Sequence, residues 1–270
     1  MKKRIITAVV LVPLLLIIVW ALPKIVTAIL FGAMAAIGAY ELLHSTGYVR
    51  HTRLVIYSMV MAFLVGLWSG LGADQAWMVL GVLGFTALLF GEMMLSHVKM
   101  RFEKMTFCMV AGLLVPFLFT SVVRIHSSLD GRFYIMVPLI MAFLPDTGAY
   151  FAGRAFGRHK LAPVISPNKT IEGAIGGVIA CMLGMVIYGL ILQAFFRFKV
   201  NYLLALLYGL LGSAAAVFGD LCFSVIKRQT GIKDYGNLFP GHGGVLDRFD
   251  SMMVVGPLAE ALLLLIPMAV

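Results

Sequence analysis

The stretch "MKKRIITAVVLVPLLLIIVWAL", Met1 to Leu22, opens with three basic residues and then runs 18 residues without a charge. Such a run is either a leader that is removed or the first helix to cross a membrane. No A-x-A-like cleavage site follows, and a second apolar run begins at once, so it reads as an uncleaved helix. The rest of the chain has the same character. Of 270 residues, 61% are hydrophobic and 12% charged, against about 25% charged in a soluble domain. A spanning helix needs about 20 mainly apolar residues. Spans are predicted near 5–22, 24–43, 53–70, 76–96, 105–124, 132–153, 170–196, 202–228 and 250–269. The expected fold is therefore all-α, a polytopic membrane protein of about nine helices with no soluble domain left over.

Charge sorts the connections. The N-terminus and the loops after spans two, four, six and eight hold three, two, three, four and four Lys and Arg, 16 of the 21 in the chain. The positive-inside bias puts the N-terminus in the cytoplasm and, with an odd number of spans, the C-terminus outside. The net charge of +9 then faces one side, where anionic lipid or an anionic soluble substrate would meet it. No nucleic-acid partner is implied. Cys108, Cys181 and Cys222 lie far apart in apolar stretches and read as buried, inert thiols.

Acids inside spans are costly, roughly 2.5–3.5 kcal/mol at mid-bilayer on insertion scales, so they face protein, a partner or water. Glu41, Glu92 and Glu260 lie near span ends or alone and are assigned structural roles. Asp146 and Asp220 sit among other polar groups. Asp146 belongs to "PDTGAYFAGRAFGRHK", where Pro145 can break the sixth helix and free backbone groups beside the acid. Asp220 shares a stripe with Gly212, Ala216, Ser224 and Arg228, spaced four apart, and Lys227 neighbours it. Eight residues from Arg228, Asp220 lies about 12 Å below the helix mouth.

The loop "KRQTGIKDYGNLFPGHGGVLDRFD", Lys227 to Asp250, concentrates charge and glycine between two apolar stretches. Clustered glycines permit positive φ and close backbone approach. Free N–H groups beside Lys227, Arg228, Lys233 and Arg248 make a phosphate cradle. Asp247 and Asp250, three apart at the predicted start of the ninth helix, are expected on one side. Carboxylates converging with phosphate-binding cations suggest Mg²⁺, which takes oxygen ligands and substrate phosphates. His242 then donates to a phosphate or orients an acid. A third cluster, "SPNKTIEG" from Ser166 to Gly173, reads as a helix start, with Lys169 and Thr170 as an anion site in the first turn. Glu172 beside them is a candidate metal or cytidine contact, and Gly173 with Gly177 forms a close-packing face.

The run "SVIKRQTGIKDYGNLFPGHGGVLDRFD", Ser224 to Asp250, resembles the signature of the CDP-diacylglycerol synthases, or phosphatidate cytidylyltransferases. Its pattern is S-x-hydrophobic-K-R, four residues, K-D, then P-x-H-G-G-hydrophobic-x-D-R-hydrophobic-D, and every specified position is filled. "DTGAY" at Asp146–Tyr150 and "SPNKTIEG" also look like family motifs, although Asn168 stands where a lysine is common. The resemblance covers the second half strongly and residues 1–130 only as apolar spans. It implies N-terminal transmembrane helices over 1–130 and a catalytic transmembrane region over 131–270, with a polar pocket facing the cytoplasm.

What the resemblance further implies is CTP plus phosphatidate giving CDP-diacylglycerol and pyrophosphate, with Mg²⁺, a second cation being left open. Asp220 and Asp247 look like the metal carboxylates, and Lys227, Arg228, Lys233 and Arg248 fall where the family binds phosphates. Asp234, His242 and Asp250 are signature positions. Asp146, Lys169, Thr170, Glu172, Ser224, Gly243 and Gly244 are the remaining candidate substrate contacts. A homodimer in a bacterial inner membrane is expected. A CTP-dependent lipid or polyprenol kinase and a transporter of an anionic solute are the competing readings.

Overall fold

The computed structural model describes residues 17–72, 74–96, 101–239, 241 and 243–269. Among them, seven helices are long and apolar enough to cross a membrane: Lys24–Ser45, Thr52–Leu71, Gln75–Leu95, Phe102–Ser127, Gly131–Phe156, Ile171–Phe196 and Tyr202–Thr230. They coincide with the predicted second to eighth spans. The predicted first span lies mostly outside the described residues, of which 17–21 are helical. The predicted ninth is a helix of 14 residues, Met252–Leu265, with Pro257 inside it. At 1.5 Å per residue that is about 21 Å, short of the roughly 30 Å hydrocarbon core.

The described chain packs as two compact units, one of residues 1–132 with 229–249 and one of residues 133–228 with 250–270. In the first, α1 (Lys24–Tyr40) runs into a π-helical turn, Glu41–Ser45. It lies against α2 (Thr52–Leu71) through small residues. A Cβ on Gly66 would stand 2.3 Å from Gly32 Cα, and one on Gly70 would stand 2.3 Å from Ala28 Cβ. Only bare backbone permits that approach. Helix α3 (Gln75–Leu95) buries just Phe85 and Leu89, as an apolar helix facing lipid would.

The second unit is built on α4 (Met136–Phe156), α5 (Ile171–Phe196) and α6 (Tyr202–Thr230). Pro145 could break its helix, and α4 nonetheless continues through it. Helix α5 presses on the same place: a Cβ on Gly177 would meet the Pro145 carbonyl at 2.7 Å. Gly148, Ala152, Gly176 and Ala180 complete the interlock, the Gly148 Cβ position lying 2.4 Å from Ala180 Cβ and the Gly176 position 2.2 Å from Ala152 Cβ. The packing face predicted from Gly173 and Gly177 is real, and it covers the backbone that a proline exposes.

Between α4 and α5 the chain forms a hairpin, β1 (Lys160–Ala162) antiparallel to β2 (Ser166–Thr170), with Lys160 opposite Thr170. This corrects the reading of Ser166–Pro167 as a helix start and of Lys169 and Thr170 as first-turn residues. Proline suits this strand because a two-stranded hairpin has only edges, where its missing N–H costs nothing. The helix begins at Ile171, and Thr170 is its cap, the Thr170 Oγ1 accepting from the Gly173 N–H at 3.1 Å. The three thiols are free, Cys108 and Cys181 buried and Cys222 half-buried.

Candidate active site

In the second unit a cluster of charge forms around Asp220 on α6. Gly219, the residue before it, has no side chain to hold the next segment off. A Cβ there would lie 3.0 Å from the Asp250 carbonyl oxygen and 3.0 Å from Ser251 Cα. That close approach brings the Asp250 carboxyl within hydrogen-bond reach of Asp220. Asp250 is 8% exposed, and its Oδ1 accepts from the Ser251 N–H at 2.8 Å. It lies in the turn ahead of the Met252–Leu265 helix, outside the seven spans. Burial, and after it the Asp220 carboxylate, push the Asp250 carboxyl up to about 8, while the Ser251 N–H and Lys227 pull it the other way.

Lys169, from β2, forms an ion pair with Asp220, each side chain keeping 23% exposure. Lys169 is thus held by an acid of α6 rather than standing over free N–H groups of a helix start. The stripe predicted along α6 is largely buried: Gly212 packs on Met141, Ala216 is 1% exposed and Ser224 8%. At its end the Arg228 Nε–H donates to the Ile165 carbonyl at 3.0 Å, fastening α6 to the hairpin. Beside this cluster a groove is lined by Asp146, Lys169, Thr170 and Ser213 among apolar and glycine residues. Glu172 closes the hairpin instead of the groove. Its Oε2 accepts from the Arg158 N–H at 3.0 Å and the His159 N–H at 3.2 Å, and its Oε1 pairs with the His159 Nδ1.

In the first unit the glycine-rich loop is organised around a different carboxylate. Asp247 lies in a four-residue helix, Leu246–Phe249. Its Oδ2 accepts from the Tyr235 N–H at 2.7 Å and the Gly244 N–H at 3.0 Å. Gly243 has a φ of +90° and leaves room beside Asp247 for nothing larger, its Cβ position being 2.8 Å from Oδ2. Asp247 and Asp250 were expected on one side of one helix. The helix ends at Phe249 and a turn intervenes, so Asp247 is engaged by the loop backbone and Asp250 by Asp220. Lys233, Asp234 and Arg248 are exposed; His242 lies outside the described residues.

Glu41, assigned a structural role from the sequence, is 4% exposed and holds the glycine-rich loop. Its Oε1 accepts from the Val245 N–H and its Oε2 from the Leu246 N–H, both at 3.0 Å. The segment it holds had no signal in the sequence beyond a second polar residue one turn on, Ser45. Among the described residues no group of three or more His, Cys, Asp or Glu forms a closed metal cage. Among the described residues two pairs of acids come close, Asp220 with Asp250 and Glu41 with Asp247.

Residues 2–266 match the model of the cytidylyltransferase family. Phosphatidate cytidylyltransferases are similar in sequence. That of Bacillus subtilis (strain 168) is 34% identical over 276 residues, 98% of each chain. That of Staphylococcus haemolyticus (strain JCSC1435) is 42% identical over 183 residues, 68% of each. That of Staphylococcus aureus (strain COL) is 43% identical over 170 residues, 63% of each.

Proposed function

The chain belongs to the cytidylyltransferase family, and on that premise we propose that it is a phosphatidate cytidylyltransferase, joining CTP and phosphatidate to give CDP-diacylglycerol and pyrophosphate. The observation that carries the chemistry is the Lys169–Asp220 ion pair with the Asp250 carboxyl against it. Such a concentration of charge on an apolar helix is costly and has a use where two anions must be held together.

A lipid phosphate and a nucleotide triphosphate repel each other. Lys169, Lys227, Arg228, Lys233 and Arg248 lower that repulsion and orient the phosphates. An oxygen of the lipid phosphate attacks the α-phosphorus of CTP; the bond from that phosphorus to the β-phosphate's bridging oxygen breaks, and pyrophosphate leaves with its electron pair. Such transfer rests on in-line positioning and charge stabilisation. No general base is needed, because a phosphate monoester is already largely ionised at neutral pH. Asp220 and Asp247 are the metal ligands we propose, with Asp250 as a further carboxylate beside Asp220. All are hard oxygen donors of the kind Mg²⁺ takes together with substrate phosphates. Bound there, Mg²⁺ would supply charge cancellation at the phosphates. Asp146, Thr170 and Ser224, with the Gly243 and Gly244 backbone, are the remaining proposed substrate contacts. Glu172 acts through the hairpin it holds.

The membrane arrangement we propose has nine spans, the short Met252–Leu265 helix crossing where the bilayer thins to meet it, with the N-terminus in the cytoplasm and the site opening to that side, as the bias of Lys and Arg supports. The relatives named above come from bacteria, which suits the cytoplasmic membrane of a bacterium, and a homodimer is the proposed assembly. The deciding experiment incubates purified protein with phosphatidate and α-³²P CTP. Label entering chloroform-soluble lipid together with release of pyrophosphate supports the reading. CDP release with a newly phosphorylated lipid points to a kinase, and no chemical change overturns an enzymatic role.

A further inference from the structure

We propose that Glu41, from the end of the first described spanning helix, is the positioning residue of the glycine-rich loop, fixing the backbone that carries Asp247 and Arg248. The proposal rests on the catalytic reading of that loop given above. A carboxylate 4% exposed in an apolar helix persists only where its oxygens are satisfied. Both are, by consecutive amides: Val245 N–H to Oε1 and Leu246 N–H to Oε2, each at 3.0 Å. The two bonds together fix the direction of that peptide as well as its place.

The loop is shaped to admit this one side chain. A Cβ on Gly236 would lie 2.3 Å from Glu41 Oε1, and a Cβ on Gly244 would lie 2.3 Å from the same oxygen. Neither glycine has a positive φ, so what each supplies is room. On the π-helical turn Glu41–Ser45, the Ser45 hydroxyl donates to the Tyr235 carbonyl. Tyr235 is fully buried, and its own N–H donates to Asp247 Oδ2 at 2.7 Å. The contacts therefore close a circuit, from Glu41 through Val245 and Leu246 to Asp247, then through Tyr235 back to Ser45. Turns of this π type recur at functional sites because the extra residue redirects side chains. Here the turn carries both side chains that hold the loop.

A mere brace and a positioning residue separate in kinetics. Glu41→Gln keeps the shape and one acceptor but points an NH₂ at an N–H. In full-length protein in detergent, kcat should fall at least 20-fold while KM for CTP stays within threefold. Hydrogen exchange of the 235–247 peptide should quicken at least tenfold with the α2 peptides unchanged. Gly236→Ala, which pushes on Oε1, should lower kcat alone, yet cost less than twofold more when added to Glu41→Ala, where the space is empty. Exchange unchanged in Glu41→Gln, exchange quickened everywhere, kcat within twofold of the parent, or multiplying effects in the double variant would each overturn the proposal. A parent protein that moves no label from CTP into lipid sinks the catalytic reading instead, and the exchange measurement still reads whether Glu41 holds the loop.

Discussion

Replacing Asp220 by Asn and Lys169 by Met should have opposite signatures, because Asp220 stands between a cation and another acid. An exposed ion pair contributes about 0–1 kcal/mol, whereas stranding one partner of a buried pair costs about 3–5 kcal/mol. With each side chain 23% exposed, the Lys169–Asp220 pair falls between, about 2 kcal/mol. Asp220→Asn loses that attraction but also removes the charge facing Asp250, itself 8% exposed. Above about pH 8, where the Asp250 carboxyl is ionised as well, two unit charges about 4 Å apart at an effective dielectric near 20 repel by about 4 kcal/mol before solvent discounts it. The gain and the loss have the same order, so the net change should stay below about 1 kcal/mol. Lys169→Met loses the attraction and leaves the repulsion as it was, so it should cost the full attraction, about 2 kcal/mol. Activity should not follow that order. Asp220→Asn should fall at least 10²–10³-fold, the size of losing one preorganised electrostatic group. Thermal unfolding in detergent at pH 9, where Asp250 is ionised, and label transfer from α-³²P CTP measure the two. An Asp220→Asn protein that melts as low as Lys169→Met would refute the charge balance, and one with more than a tenth of parental turnover would refute the metal assignment.

Chelation with EDTA should abolish label transfer and added Mg²⁺ should restore it; activity that persists after exhaustive chelation removes the metal from the proposal. Thr170→Val deletes the cap on Gly173 and should cost about 1 kcal/mol in unfolding, seen as a modest drop in melting temperature. Gly176→Val places its Cβ on Ala152 and should cost about 1–3 kcal/mol from overpacking. Gly84→Ala, with nothing within 4 Å of its Cβ position, should leave melting unchanged and serves as its control.

Seven of the spans were legible because a long apolar run has one stable form in lipid, a helix that satisfies its own backbone. The same rule cannot say whether a run is long enough to cross. The stretch 250–269 is as apolar as the others, yet its helix starts only at Met252 and ends at Leu265, and Asp250 ahead of it turns to Asp220. "SPNKT" misled for a related reason. Ser-Pro followed by polar residues starts many helices, but these five residues pair with a strand whose residues lie four and ten positions upstream, and a pairing that depends on Lys160 and Ala162 leaves no local periodicity to read. At Pro145 local strain permits a break, whereas α5 approaches the proline closely enough to cover it.

Asp247 and Asp250 were expected side by side, and the structure gives each a different partner. Type and spacing identify which acids sit in apolar surroundings, since each must find a counterpart. They do not identify the counterpart, which depends on where bare backbone lets two segments approach. Gly219 decides that Asp250 reaches Asp220, and Gly236 and Gly244 decide that Glu41 reaches the loop. Glycine in this chain therefore carries information of two kinds. At Gly243, φ is +90° and the residue bends the loop; at Gly219, Gly236 and Gly244 an ordinary backbone gives way to a neighbour. A glycine of the second kind has no signature of its own in the sequence, because its reason lies in a side chain as far off as Glu41 is from Val245.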